Sequence, residues 1–324
     1  MDPAQFFAAS RVLIVAGKGG VGKSTVSAAM ARAAARAGLS TLIVELEGKS
    51  GIGALFGRPP FGYDEVELHP GGGPEGSADV RARMLTPDDA LVEYLEDHGL
   101  SRVTRRLLSG GALDVVSTAA PGIRDILVLG KVKQLERAGV ADLIVLDAPA
   151  AGHAISFLRS ARGLLDTARA GPINTQAADV IELLTDPDRC QVVLVTLPEE
   201  TPVNELVDTA YSLEDEVGVS LGPVVVNGLY PDLPGLEREP ASVAAEAGLE
   251  VAPAELAAMA AAATFRRERA RLQTGQLERL ATALPLPQLP LPYLFSTDLG
   301  PNELEALADA VSLGISEIPA LTQP

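Results

Sequence analysis

The stretch that decides the fold is residues 17–25, which read Gly17-Lys18-Gly19-Gly20-Val21-Gly22-Lys23-Ser24-Thr25. It fits the pattern G-x-x-x-x-G-K-[ST] in full, and it lies between an apolar run at Val12–Val15 and an Ala-rich stretch at Ser24–Ala37. The glycines let backbone N–H groups surround an anion, and the start of the following helix adds partial positive charge. The sequence therefore predicts a nucleotide-binding loop, in which Lys23 contacts the β- and γ-phosphates and the Ser24 hydroxyl ligates Mg²⁺.

Composition limits the class of protein. The 324 residues are 47% hydrophobic and 21% charged, which supplies apolar surface for a large core and excludes a disordered chain. Acidic residues outnumber basic ones by 43 to 26, and the formal net charge of −17 is opposite in sign to that of a nucleic-acid binder. The N-terminus has no basic signal region, and no apolar run reaches the ~18 residues of a membrane span. We expect a cytoplasmic protein that neither binds nucleic acid nor inserts directly into a membrane.

Apolar, β-branched runs alternate with helical stretches along the chain. The runs are Val12–Val15, Thr41–Val44, Leu143–Leu146, Val192–Val195 and Val224–Val226, with a last strand expected near Leu286–Leu291. Strands that alternate with helices predict an α/β fold, namely a doubly wound, mostly parallel sheet.

Two stretches interrupt this alternation. Pro59–Ser77 is rich in Pro and Gly and is predicted to be a surface loop. Residues 78–138 and 153–186 are predicted to form a helical insertion subdomain within one P-loop domain that spans residues 1–324. The apolar residues of this insertion are interpreted as ordinary core. Residues Ala254–Leu284 are predicted to be mostly one long helix with an apolar stripe, whose members are Phe265, Leu272, Leu277, Leu280 and Leu284.

Three further motifs lie at the ends of predicted strands. Leu143–Asp147 reads L-I-V-L-D, an apolar strand that ends in a carboxylate, and we expect Asp147 to hold the Mg²⁺ shell through water. This strand continues as A-P-A-A-G-H over residues 148–153. Asn227 follows the run Val224–Val226, and Pro290-Leu291-Pro292 ends the last strand.

These motifs resemble those of the deviant Walker A ATPases, in which a lysine directly follows the first glycine of the loop. Asp147, Gly152 and His153 are similar in spacing to the switch II segment D-T-A-P-T-G-H of one branch. That branch comprises the ArsA arsenical-pump ATPases and the tail-anchored-protein targeting factors. The resemblance implies an ATPase in which Lys18 reaches phosphates across a dimer with the nucleotides between its subunits.

The same resemblance implies roles for two other segments and for one acidic residue. The Asn227 amide would recognise adenine through its paired donor and acceptor, and Pro290-Leu291-Pro292 would be a loop that packs over the base. Glu47 falls on the switch I position where the family carries an Asp that orients the attacking water. Lys18 and Glu47 are thus the predicted catalytic residues. Since the Glu47 side chain is one methylene longer, hydrolysis is expected to be slow.

The cysteine count separates this chain from several relatives of that class. Cys190 is the only cysteine in the sequence. A lone thiol forms neither a thiolate arsenite site, nor a C-x-x-C zinc clamp, nor an iron–sulfur cluster. We therefore expect ATP and Mg²⁺ as cofactors, with no zinc, no iron–sulfur cluster and no arsenite site, and we expect Cys190 to be a buried thiol at a strand edge.

The leading functional hypothesis is a Mg²⁺-dependent ATPase that works as a dimeric switch. ATP would join two identical subunits, or this chain and a paralogous ATPase, and hydrolysis would change the affinity for a protein client that the sequence does not identify. One alternative is a targeting chaperone for hydrophobic or tail-anchored segments, which an open apolar groove in the helical insertion would favour. Another is a MinD/ParA-like positioning ATPase, which the acidic charge and Gly152-His153 oppose.

Overall fold

The strands of the protein form one sheet. The computed structural model describes residues 1–46, 51–72, 76–97, 122–167 and 171–319. Within them the strands are β1 (Val12–Gly17), β2 (Thr41–Leu46), β3 (Val66–His69), β4 (Val80–Leu85), β5 (Leu143–Ala150), β6 (Cys190–Thr196), β7 (Val224–Leu229) and β8 (Gln288–Pro292). Their order in the sheet is β3-β4-β2-β5-β1-β6-β7-β8, with β3 antiparallel to β4 and the other pairs parallel. The predicted doubly wound, mostly parallel α/β fold is confirmed.

Helices cover both faces of this sheet. They are α1 (Pro3–Ala8), α2 (Lys23–Arg36), α3 (Ile52–Leu55), α4 (Pro87–Asp97), α5 (Ile123–Ala138), α6 (Ala151–Thr167), α7 (Pro172–Thr185), α8 (Glu200–Glu216), α9 (Pro240–Glu246), α10 (Pro253–Ala283) and α11 (Pro301–Glu317). Helices α1, α2, α3 and α11 pack on one face, and α5 to α8 pack on the other, joined by the end of α10. None of the helices in the described ranges is both long and apolar enough to cross a bilayer.

The central strands are apolar on both sides because both sides are covered. In β1, Val12 and Ile14 belong to the core beneath α5 to α8, whereas Leu13 and Val15 belong to the core beneath α2 and α11. All four side chains are at most 2% exposed. Such strands read as continuous hydrophobic runs, which is why the sequence reveals them. Because the central strands are parallel, their carboxyl ends meet at one edge of the sheet, where the loop of residues 17–22 lies.

Two strands contradict the predicted boundaries. β4 pairs with β2 in the main sheet, so the helical part predicted from residue 78 begins only at α4. Its sequence, V-R-A-R-M-L, interrupts the apolar run with Arg81 and Arg83, and it therefore does not read as a buried strand. β3 lies inside Pro59–Ser77, which the composition assigned wholly to a loop. β3 is an edge strand of four residues, V-E-L-H, and has too few apolar residues for the sequence to predict a strand.

The predicted helical insertion forms one layer of the domain. Ile126 and Leu129 of α5, Phe157 of α6 and Val180 of α7 share one core with Leu146 of the sheet. The interpretation of the insertion's apolar residues as ordinary core holds for Ile126 and Leu129, which are buried. Leu91, Leu95 and Leu127 are half-buried, and Leu107 and Leu108 lie outside the described residues. The described helices of the insertion therefore share their core with the sheet, and the helical insertion subdomain stays a prediction.

The apolar stripe predicted for the late helix is only partly buried. Leu280 and Leu284, at the end of α10, are 1% and 4% exposed. Phe265 and Leu272, in the same stripe, are 67% and 54% exposed. The tertiary structure explains this difference in exposure, because only the last turns of α10 reach the core beneath α8.

Candidate nucleotide-binding site

The loop between β1 and α2 has the conformation that its glycines predict. Gly20 and Gly22 have φ angles of 84° and 88°, in the left-handed region that side chains other than that of glycine rarely adopt. Gly22 is the N-cap of α2, and Lys23 is the first residue of the helix. Strand, loop and helix thus follow one another as expected, and the positive end of the α2 dipole lies at the loop.

Gly17 ends β1 at a point of close backbone approach. A Cβ atom placed on Gly17 would lie 2.3 Å from the carbonyl oxygen of Val195 in the neighbouring strand β6. Backbone atoms of a central strand have no room to withdraw, so residue 17 has to be glycine for the loop to leave the sheet here.

Two predicted Mg²⁺ ligands lie together below the loop. The Ser24 hydroxyl donates a hydrogen bond of 2.6 Å to Asp147, and Ser27 of α2 lies 3.4 Å from the other carboxylate oxygen. Asp147 is fully buried in β5, three residues before the strand ends, and is in register with Val15. A hydroxyl and a carboxylate are hard oxygen ligands of the kind that Mg²⁺ prefers, so the residues present fit this ion.

The two lysines of the loop have different surroundings. The ammonium of Lys23 donates to the carbonyl oxygen of Lys18 at 2.9 Å, and the residue is 8% exposed. The ammonium of Lys18 lies 2.6 Å from a carboxylate oxygen of Glu205 in α8, and both side chains of this pair are about two-fifths exposed, at 41% and 43%. Lys23 is therefore held within its own loop, whereas Lys18 is directed outward and is accessible from solvent.

Asn227 lies against the phosphate loop. Its amide nitrogen donates to the carbonyl oxygen of Val21 at 2.9 Å. A Cβ on Gly22 would lie 2.3 Å from that same nitrogen, which shows how closely the end of β7 approaches the loop. The structure thus brings Asn227 together with the loop. Its predicted recognition of adenine remains a prediction.

Pro290-Leu291-Pro292 differs from the expected loop. These residues belong to the edge strand β8, which pairs with β7, and Leu291 is fully buried in the core beneath α2 and α11. The alternation of Pro and Leu in an edge strand keeps the apolar side chain inside while the prolines need no ladder partner. The loop begins only at residue 293, and a role of these three residues at the base stays a prediction.

Three other predicted residues lie outside what the structure describes in full. Glu47 falls outside the described residues, so its role in orienting water stays a prediction. Gly152 and His153 lie in the first turn of α6, which follows β5 directly. The backbone therefore places Gly152 and His153 at the start of the helix that follows the strand of Asp147.

One acidic residue near the site has no role in the predictions from sequence. Glu45 in β2 is 1% exposed and stands in register with Asp147 of β5, so two buried carboxylate side chains lie on adjacent strands. Each lies two positions along its strand from a member of the core beneath α2, Ile43 in β2 and Val145 in β5, so both face that helix. A charged residue inside the otherwise apolar strand T-L-I-V-E-L was the signal that would have identified it.

Cys190 is the first residue of β6 and is fully buried, as expected. Burial raises the pKa of its thiol to about 12, because an apolar interior disfavours the thiolate. At neutral pH this side chain is a protonated, inert thiol, which is the form that neither binds a metal ion nor attacks a disulfide.

The fold and the site together define a P-loop nucleotide-binding protein with a deviant Walker A motif, in which Lys18 directly follows the first glycine. Residues 12–168 match the family model described as the CobQ/CobB/MinD/ParA nucleotide-binding domain.

Three similar proteins show which ATPases within this class the chain resembles. The chain is 36% identical over 228 residues to ATPase BagA of Mycobacterium tuberculosis, covering 68% of this chain and 66% of the relative. It is 30% identical over 243 residues to the putative arsenical pump-driving ATPase of Halobacterium salinarum, covering 69% and 36%. The arsenical pump-driving ATPase of Escherichia coli is 25% identical over 68% of this chain and 39% of its own length. The chain therefore belongs to the ArsA-like P-loop ATPases.

Proposed function

We propose that this ATPase is a Mg²⁺-dependent switch that hydrolyses ATP slowly and works as a dimer. The observation that supports its chemistry best is the contact between Ser24 and Asp147 at the foot of the phosphate loop, 2.6 Å long. This contact joins the two residue types that share a magnesium ion in P-loop ATPases.

Each residue of the site has a task in this proposal. The backbone N–H groups of residues 19–24 and the ammonium of Lys23 bind the phosphates and compensate their charge. Ser24 and Asp147 would hold the ion, Asp147 through water. Bound Mg²⁺ neutralises charge that builds up on the phosphate oxygens. Glu47 would orient the attacking water.

The proposed dimer requires Lys18 to change partners. Lys18 is paired with Glu205 of its own chain, and it would have to release this carboxylate to contact a phosphate bound to the other subunit. An ion pair whose members are about two-fifths exposed is weak, worth about 1 kcal/mol or less. The exchange is therefore inexpensive, and the gain of a charge-assisted contact with phosphate would drive it.

The location, the client and the second subunit of this switch are also proposals. We propose a cytoplasmic protein that pairs with itself or with a paralogous ATPase and that is not activated by arsenite. The last point is supported by Cys190, the single cysteine, which lies buried and protonated.

A targeting chaperone for hydrophobic segments remains the alternative proposal. Between α4, α5 and α7 there is a cavity of about 470 Å³, lined largely by Lys131, Lys133, Gln134, Arg137 and Gln176. Ala90, Tyr94 and Leu127 complete the lining with apolar surface, so this cavity favours neither the switch nor the chaperone. A positioning ATPase of the MinD/ParA type shares the nucleotide-binding domain that residues 12–168 match, whereas the formal net charge of −17 opposes it.

Light scattering with and without Mg·ATP tests the switch. We expect the wild-type protein to shift from monomer to dimer when Mg·ATP is added. Lys23→Ala should abolish ATP binding, since it removes the phosphate contact inside the loop. Lys18→Ala should bind ATP with less than about a threefold change in affinity but remain monomeric and inactive, because its contact is made only in the dimer.

Glu205→Gln is the matched control, since it frees Lys18 without altering the loop. This variant should dimerise at a lower ATP concentration than the wild type. Normal hydrolysis by Lys18→Ala would contradict the cross-subunit role of this lysine. A wild-type chain that binds ATP and stays monomeric would direct the search to a paralogous subunit.

A further inference from the structure

One side of helix α10 holds the segment that follows β7. Arg266 donates to the carbonyl oxygen of Pro231 at 3.0 Å. Its guanidinium also lies over the ring of Tyr230, 4.5 Å from the centroid. Arg269, one turn further along, pairs with Glu199 at 2.5 Å. Arg266 and Arg269 lie seven and four positions before Gln273, so the three side chains share one side of the helix.

Gln273 is the buried member of this group. It is 3% exposed, and its amide makes two hydrogen bonds, one as an acceptor and one as a donor. The oxygen accepts from the backbone N–H of Tyr230 at 2.9 Å, and the nitrogen donates to the carbonyl oxygen of Gly228 at 3.1 Å. A buried amide with both ends satisfied fixes the backbone that it bridges, because either end left unpaired costs about 1–3 kcal/mol.

The bridged segment begins one residue after Asn227. The Asn227 amide in turn contacts Val21 of the phosphate loop at 2.9 Å. A continuous set of contacts therefore leads from Gln273 through the backbone of residue 228 to Asn227 and the loop. Gly228 of β7 has a φ of 77°, and glycine changes its backbone conformation more easily than other residues. The two hydrogen bonds of Gln273 are therefore needed to hold this backbone in place.

We propose that Gln273 is a positioning residue for nucleotide binding, which acts by holding Asn227 against the phosphate loop. It contacts no nucleotide itself. This inference rests on the proposed binding of ATP at the loop of residues 17–25. It predicts that a change on a distant helix weakens ATP binding only while Asn227 is present.

A double-mutant cycle on the dissociation constant for Mg·ATP tests this role. Gln273→Met keeps the volume of the side chain and removes both hydrogen bonds. We expect it to raise the dissociation constant about tenfold in the wild-type background and less than about twofold in Asn227→Ala, because the two residues act in series. Gln276→Leu, one turn further along α10, is the matched control and should leave the constant unchanged.

Thermal unfolding of each variant separates positioning from general destabilisation. If Gln273→Met does not fold, Gln273→Glu keeps the acceptor for Tyr230 but places a carboxylate oxygen against the Gly228 carbonyl, and it should act in the same direction. Equal increases in both backgrounds, or a folded Gln273→Met with wild-type affinity, would overturn the proposal. Absence of ATP binding by the wild type would refute the nucleotide site itself, a different result from either of these.

Discussion

At the scale of single residues, the site depends on atoms that approach more closely than side chains ordinarily permit. Gly17 faces the Val195 carbonyl, Gly22 faces the Asn227 amide, and Ser24 contacts Asp147. These positions lie on four different strands or their adjoining loops. Their identities are therefore constrained by neighbours that are distant in the sequence.

Gly17→Ala should destabilise the protein, because its Cβ would meet the Val195 backbone oxygen at 2.3 Å. Overpacking of this kind costs about 1–3 kcal/mol. Gly275→Ala is the control within α10, where a Cβ would meet nothing within 4 Å. It should stabilise the protein by up to about 1 kcal/mol, because alanine is the better helix former. Denaturant unfolding measures both changes, and equal effects at the two sites would contradict the packing argument.

At the scale of elements, α10 shows how one helix serves two purposes. Its last turns close the core with Leu280, whereas its middle presents polar side chains to the segment after β7 and leaves Leu272 exposed. An apolar stripe in the sequence therefore does not show how much of a long helix is buried. The length of its contact with the core beneath α8 decides this.

Leu280→Ala and Leu272→Ala test this division of the helix. Truncating the buried Leu280 should lower the free energy of unfolding by about 2–5 kcal/mol, through lost transfer energy and a cavity. Truncating Leu272, which is 54% exposed, should change it by no more than about 0.5 kcal/mol. Chemical denaturation gives both values. A cost at Leu272 equal to that at Leu280 would show that the middle of α10 is covered in solution.

At the scale of the whole molecule, charge opposes the proposed pairing. Two copies that each carry a formal charge of −17 repel one another, and the contact of Lys18 with phosphate has to act against this repulsion. Electrostatic repulsion between surfaces extends over about 10 Å at 0.1 M salt and weakens as salt is added.

Salt should therefore promote dimerisation at saturating Mg·ATP. Raising the NaCl concentration from about 0.02 M to about 0.2 M should increase the dimer fraction, since the screening length falls severalfold over this range. Sedimentation velocity measures the fraction, and a sample without nucleotide is the control, in which salt should have no effect. A dimer that dissociates with added salt would mean that local ion pairs, rather than net charge, govern the association.

The sequence by itself determined the features that depend on local pattern. The phosphate loop needs its glycines and lysines in one continuous string, and the strands β1, β2, β5, β6 and β7 are continuous apolar runs because both of their faces are covered. Asp147 and Asn227 were identified for the same reason, since each directly follows such a run.

Only the tertiary structure decided the features that depend on neighbours. Two arginines interrupt the apolar pattern of β4, and Pro290-Leu291-Pro292 joins the sheet through pairing with β7. Helices α5 to α7 share one core with the sheet. Glu45 lies beside Asp147 because β2 pairs with β5. Gln273 bridges the backbone of residues 228 and 230, which are more than forty residues away in the sequence. Hydrogen bonds and burial between distant segments leave no periodic trace in the sequence, because each requires only one suitable side chain at one point of contact.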